Sequence, residues 1–189
     1  MKSLAPTDEN GFTLIELLIA VTIFVFLIML AGPMYTEFMA NHQIRNATDA
    51  MLNGVQEAQS AAVRNNTLAR LLVDTTTGTG GWKVFQTVDG TEKPAALQVY
   101  TVLDGAPKVT VTPVPADARQ VTFDGFGRIV ANVDASATLT CLKVTNTNVS
   151  SPHKLNVTIG IGGLSGGTKL CDPAASAGEP QACPAACKN

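Results

Sequence analysis

The sequence is short of charge, of histidine and, for its first 140 residues, of cysteine. Charged residues make up 15% of the 189, and 13 Lys and Arg stand against 15 Asp and Glu for a formal charge of −2. A chain balanced in this way has no bulk positive field to draw it to nucleic acid. The two histidines, His42 and His153, have no acid and nucleophile beside them at a recognisable catalytic spacing, and the chain reads as a non-enzyme. Cys141, Cys171, Cys183 and Cys187 contain no Cys-x-x-Cys pair and no neighbouring His, which favours disulfides over a metal centre and points to a compartment outside the cytoplasm. No metal and no cofactor is expected. The length suits one globular domain with appendages.

What is abundant is apolar, and it is concentrated near the N-terminus. Between Phe12 and Thr36 the only charge is Glu16, and Leu17 to Ala31 is interrupted only by Thr22. At about 1.5 Å per residue, residues 12–34 are long enough to cross a hydrocarbon core of about 30 Å, so a transmembrane helix is expected there. A cleaved secretory signal fits less well. The run exceeds the apolar core of such signals, and no small-x-small cleavage site follows it before Pro33. Pro33 is expected to kink the helix or bend its exit from the bilayer.

Beyond Pro33 the pattern turns amphipathic. Ile44, Ala47, Met51, Val55, Ala58 and Ala62 recur at spacings of three and four, with Arg45, Asn46, Asp49, Asn53, Glu57 and Arg64 on other faces. Residues 35–66 therefore continue the helix, ending at Asn65-Asn66. From Leu68 onward Thr, Val and Gly dominate in short alternating runs. Strands are expected at Leu68 to Asp74, Trp82 to Thr87, Leu97 to Val102, Gln120 to Phe123, Arg128 to Asn132, Thr138 to Val144, Lys154 to Ile161 and Thr168 to Cys171. Asp89-Gly90 and Asp124-Gly125 read as turns, and Pro107, Pro113 and Pro115 as a loop. Gly162-Gly163 and Gly166-Gly167 lack the Lys-Ser/Thr of a phosphate loop and read as a hairpin end. The fold class is α+β, one antiparallel sheet laid on a long N-terminal helix.

The junction between leader and apolar run is the most specific feature. The polar stretch MKSLAPTDENG meets Phe12-Thr13-Leu14-Ile15-Glu16-Leu17-Leu18 directly. GFTLIELLIA resembles the processing site of type IV prepilins and type II secretion pseudopilins. That resemblance implies cleavage after Gly11 by a prepilin peptidase/N-methyltransferase, methylation of Phe12 as the new first residue, and an assembly role for Glu16. Asp8, Glu9 and Asn10 stand where the family usually has Lys or Arg, leaving Lys2 as the leader's only cation. An ionised Glu16 near the end of an apolar helix costs several kcal/mol unless partnered. The freed amino group of Phe12, on the same or a neighbouring subunit, is a candidate partner.

The remainder is similar to the GspH/FimT-type minor pilins and pseudopilins, through Gly81-Trp82-Lys83-Val84-Phe85, Phe123-Asp124-Gly125-Phe126-Gly127-Arg128, Leu139-Thr140-Cys141 and Cys171-Asp172-Pro173. The resemblance implies a pilin-like fold. Its parts would be a removed leader (1–11), a transmembrane helix (12–34), an amphipathic periplasmic half-helix (35–66), a β-sheet domain (67–173) and a Cys-containing tail (174–189). It implies a structural subunit in initiation or at the tip of a type IV pilus or type II secretion pseudopilus. Its partners would be other minor pilins or pseudopilins, and it would be held in the inner membrane of a Gram-negative envelope before joining the filament. The alternative is a DNA-binding minor pilin. The Gly-Arg-x-Arg motif of such relatives is absent from Ile161 to Lys169, leaving Lys143, Lys154 and Lys169 as weak phosphate contacts. Four cysteines allow three connectivities. Cys141 with Cys171 across strands, and Cys183 with Cys187 in a tail ring, are preferred, and Ala174 to Gln181 is expected to be mobile.

Overall fold

The computed structural model describes residues 11–74, 81–88, 91–101, 106, 108–146, 154–161 and 167–188. The turn at Asp89-Gly90, the loop residue Pro107, His153 and the glycines at 162, 163 and 166 lie outside the described residues. The chain falls into two compact units, the first ending at Glu37 and the second running from Phe38 to Asn189. Each is described by itself.

Helix α1 is hydrogen-bonded from Leu14 to Asn65. In the first unit its large apolar side chains, among them Phe24, Phe26 and Met29, are all exposed. Pro33 brings no backbone N–H to this helix. Neither Leu14–Leu30 nor Met34–Asn65 alone is long and apolar enough to cross a membrane, and together they meet the requirement of length and composition.

In the second unit the stripe read from the sequence is the buried one: Ile44, Ala47, Met51, Val55, Ala58 and Ala62 are all within the core. Small residues at 47, 58, 61 and 62 let the sheets come close to the helix backbone. Gly54 marks the closest approach, since a Cβ there would meet the Trp82 ring at 2.7 Å, and the Trp82 indole N–H donates to the carbonyl of Ala50 at 2.9 Å. The helix ends as expected at Asn65-Asn66. Asn66 takes the left-handed conformation (φ 48°), its N–H donates to Val63 O at 3.2 Å, and the Thr67 N–H reaches back to Ala62 O at 3.1 Å. This Schellman closure satisfies carbonyls that the last turn leaves open.

Among the described residues ten strands follow: β1 (Leu68–Asp74), β2 (Gly81–Val88), β3 (Thr91–Glu92), β4 (Gln98–Tyr100), β5 (Val109–Val114), β6 (Gln120–Phe123), β7 (Ile129–Val130), β8 (Cys141–Asn146), β9 (Leu155–Ile161) and β10 (Gly167–Cys171). They form two antiparallel sheets where the sequence suggested one. The first has the order β3-β2-β1-β6-β7, with β4 also on β2; the second is β10-β9-β8-β5. Inward residues of both, including Leu71, Val84, Val121 and Phe123 from the first and Val111, Leu142, Val144 and Val157 from the second, share one core with α1.

Two strands were not legible. β3 is two residues long. β5 occupies the stretch expected to be a proline loop, and pairs with β8 from Val109↔Asn146 to Val114↔Cys141. Val109 and Val111 alternate inward with Thr110 and Thr112, and Pro113 is tolerated because β5 is an edge strand, where a missing N–H costs least.

The tail and its disulfides are corrected outright. The bonds are Cys141–Cys187 and Cys171–Cys183, not Cys141–Cys171 and Cys183–Cys187. The reason is lateral distance. Cys141 on β8 pairs with Thr158 of β9, and Cys171 on β10 pairs with Asn156 of β9, so a whole strand separates them. Two strand spacings come to about 10 Å, beyond the reach of a disulfide. Instead the C-terminal segment lies across the outer face of this sheet, bonded to the strand on either side of β9. Nor is Ala174 to Gln181 a loose end. The Lys188 ammonium donates to Ala175 O at 3.2 Å, Asp172 N–H donates to Gln181 O at 2.8 Å, and Asn156 Nδ2 beneath donates to Cys187 O at 2.6 Å.

Candidate processing and assembly site

The residues singled out for processing sit at the start of α1. Gly11, Phe12 and Thr13 are non-helical and exposed, and no other part of the structure lies within 4 Å of where a Cβ on Gly11 would be. Thr13 is the helix N-cap. Its Oγ1 accepts the backbone N–H of Glu16 at 3.3 Å, and its carbonyl accepts the N–H of Leu17 at 3.1 Å. The sequence Thr13-Leu14-Ile15-Glu16 thus has the spacing of a capping box, with an acid in the first turn where the helix dipole favours negative charge. Cleavage after Gly11 would leave this cap whole, because the scissile bond lies two residues ahead of it in accessible, non-helical backbone. The Thr-x-x-Glu spacing was the available signal for this arrangement, and it went unread.

Two of the three basic residues weighed for nucleic acid are engaged within the chain. The Lys143 ammonium donates to Lys188 O at 2.9 Å, and that of Lys169 donates to Pro180 O, so both hold the C-terminal segment down. Lys154 is exposed at the entry to β9.

Two clefts lie among the described residues at places that bear on function. The larger, about 310 Å³, is lined by Arg70, Thr87, Glu92, Gln120, Val133 and Asp134. Here the Arg70 guanidinium forms a fork with Glu92, donates to Gln120 Oε1 and stacks 5.0 Å from the Phe85 centroid. Gln120 Nε2 donates in turn to Asp134 Oδ1 at 2.6 Å and Ser136 Oγ at 2.7 Å. Hydrogen bonds from Ser136, with help from Gln120, hold the Asp134 carboxyl below its ordinary pKa. The network ties β1, β3, β6 and the following loop together. The second cleft, about 290 Å³, lies on α1 among Phe38, Asn41, His42 and Arg45, and His42 there meets Phe38 edge-on at 4.2 Å. The sulfurs of Cys171, Cys183 and Cys187 come within 4.8 Å of one another because the two disulfides lie side by side.

Comparison with known families decides the assignment. Residues 47–163, well over half the chain, match the family model of the type II transport protein GspH. The chain belongs to the GspH family. Residues 7–32 match the prokaryotic N-terminal methylation motif, which brackets Gly11, Phe12 and Glu16. No curated protein matches the sequence closely enough to count as a relative. Among solved structures, the type IV minor pilin FimU of Pseudomonas aeruginosa PAO1 is similar in fold, with a TM-score of 0.51, 16% identity, and coverage of 70% of this chain and 91% of that one. The minor pseudopilin EpsH from the type 2 secretion system of Vibrio cholerae is similar too, with a TM-score of 0.51, 12% identity, and coverage of 70% and 99%. The helix with its antiparallel sheets is thus the pilin-like fold. The DNA-binding alternative finds no support, either in these likenesses or in the positions of Lys143 and Lys169.

Proposed function

We propose that this GspH-family chain is a non-enzymatic structural subunit that enters the inner membrane through residues 12–34, with the domain from residue 67 on the periplasmic side. A prepilin peptidase removes residues 1–11 and methylates Phe12. The mature subunit then leaves the bilayer to join other minor pilins or pseudopilins in initiating or tipping a filament. The observation that carries this reading is the placing of the methylation motif. Its Gly11–Phe12 bond lies in exposed, non-helical backbone just ahead of a Thr13-capped helix, and the side chains that follow are apolar and unburied. Such a surface is stable in lipid or against like helices, not in water. Glu16, one turn into the helix, then has the new amino group of a neighbouring Phe12 as its partner, which sets axial register.

The test is the N-terminus and intact mass of the chain from cells with and without the peptidase. A mature chain beginning at methylated Phe12 only when the peptidase is present is the expected result. A chain beginning at Met1 in both strains, or at a residue beyond Ala31, would overturn the proposal. A Glu16→Ala chain should be processed normally and fail to enter filaments.

A further inference from the structure

The cleft that Arg70, Glu92, Gln120 and Asp134 line is not neutral. Arg70 is the only cation among its described lining residues, and both carboxylate oxygens of Glu92 are taken by the Arg70 fork. Asp134 is left over. It is exposed, and none of the ion pairs among the described residues includes it. The bonds that keep it ionised come from Ser136 and Gln120, both neutral groups. The loop that carries it is fixed. Buried Asn132 donates through Nδ2 to the carbonyls of Ser136 and Ala137, each at 3.1 Å, and its Oδ1 accepts the Thr122 hydroxyl at 2.9 Å. Ala135 holds the left-handed conformation (φ 57°), a strained state for a residue with a Cβ that persists where its surroundings enforce it. Val133, at the mouth of the cleft, is 69% exposed. Groups already held in place lose little freedom on binding, which is the condition under which a surface side chain becomes an interface anchor.

We propose that this cleft receives a lysine side chain of a neighbouring subunit in the assembly, a pilin-like chain other than this one, with the ammonium on Asp134 Oδ2 and the methylene stem over Val133. The inference rests on the assembly reading above. The chemistry of the cleft selects the occupant. Two carboxylates against one guanidinium leave one negative charge, which one cation complements. Asp134 Oδ1 already accepts Gln120 Nε2 and the Ser136 N–H, so Oδ2 is the oxygen left to a partner. A single oxygen suits the point charge of an ammonium better than the two prongs of a guanidinium. It suits a metal ion poorly, because calcium takes several oxygen ligands at once and those of Glu92 are committed to Arg70. The exposed valine matches the apolar stem that a lysine lays along a surface. A closed pair of copies needs a self-complementary patch, and cleft against cleft would bring two like charges together.

The experiment uses the full chain in cells that assemble the filament, carrying a benzophenone amino acid in place of Val133 or, separately, of Phe24 in the apolar run. Both positions should crosslink to pilin-like subunits on irradiation, and the Val133 adduct should map beside a lysine of a different chain. Asp134→Asn, which removes the charge and keeps the size, should lower the yield of that adduct about tenfold with little change in Tm. Asp134→Lys, combined with Asp in place of the crosslinked lysine, should restore it. A Phe24 adduct without a Val133 adduct, a Val133 adduct to lipid or to a second copy of this chain, a yield indifferent to Asp134→Asn, or a charge swap that restores nothing would overturn the docking contact and leave the assembly reading standing. Calcium binding to the full chain in detergent that Asp134→Asn abolishes would overturn it as well, by giving the cleft to a metal. Adducts at neither position would overturn the docking contact together with the assembly reading.

Discussion

At the scale of single residues, the structure explains choices that look unfavourable in isolation. Gly54 interrupts a helix that would be more stable with Ala by up to about 1 kcal/mol, yet it is the position over which Trp82 lies. Gly54→Ala should therefore destabilise the domain by about 1–3 kcal/mol through overpacking, read as a lower Tm in thermal denaturation. An unchanged or higher Tm would mean the indole swings aside freely. The hydrogen bonds of Ser136 and Gln120 lower the pKa of Asp134 in the fold. Its contribution is therefore present above the ordinary carboxylate value, about 3.9, and is lost as pH falls through the lower folded value. The protection factor for amide exchange at Ser136, whose N–H donates to Asp134 Oδ1 at 3.1 Å, should fall in acid, and Asp134→Asn should lower it at neutral pH.

At the scale of elements, the C-terminal segment behaves as a plate clipped to the second sheet. Its two disulfides enclose chain segments of unequal length, with sequence separations of 46 and 12 residues. In the loop-entropy picture the first stabilises by about 4 kcal/mol and the second by about 3. Replacing Cys141 and Cys187 together by Ser should accordingly lower the denaturation midpoint more than replacing Cys171 and Cys183. The opposite order would show that Asn156 and Lys143, which bond to the carbonyls of Cys187 and Lys188, hold that end without the covalent bond. The helix shows the same division of labour between local and distant forces. Its ends are set by neighbours in sequence, Thr13 at the start and the Asn66 reversal at the finish, whereas its middle is held by sheets formed from residues 68 onward.

At the scale of the whole molecule, every buried apolar residue among the described ones lies at or beyond Ala40. The second unit thus has a core of its own, and a chain beginning at Phe38 should fold, remain soluble and keep the Tm of the full-length protein in detergent. A fragment that aggregates or melts well below the full chain would refute this. The described large apolar side chains of the first unit are exposed, which is why membrane and neighbouring chains enter the functional account.

What the sequence determined by itself was whatever depends on neighbours along the chain. The apolar run, the Gly11–Phe12 motif with Glu16, the 3.6-residue stripe from Ile44 to Ala62, the stop at Asn65-Asn66 and most strands follow from periodicity and local turn chemistry. Tertiary structure decided whatever depends on lateral spacing between strands: the division into two sheets, the use of a proline-bearing segment as edge strand β5, and the pairing of Cys141 with Cys187 instead of Cys171. A disulfide needs two chains at one distance and orientation, and sequence records only the order in which those chains occur. Phe126 was visible in the letters as part of a family motif, but its exposure was not. Whether an aromatic faces in or out is settled by the register of its hairpin against the helix end, where Asn66 and Gln59 receive the turn.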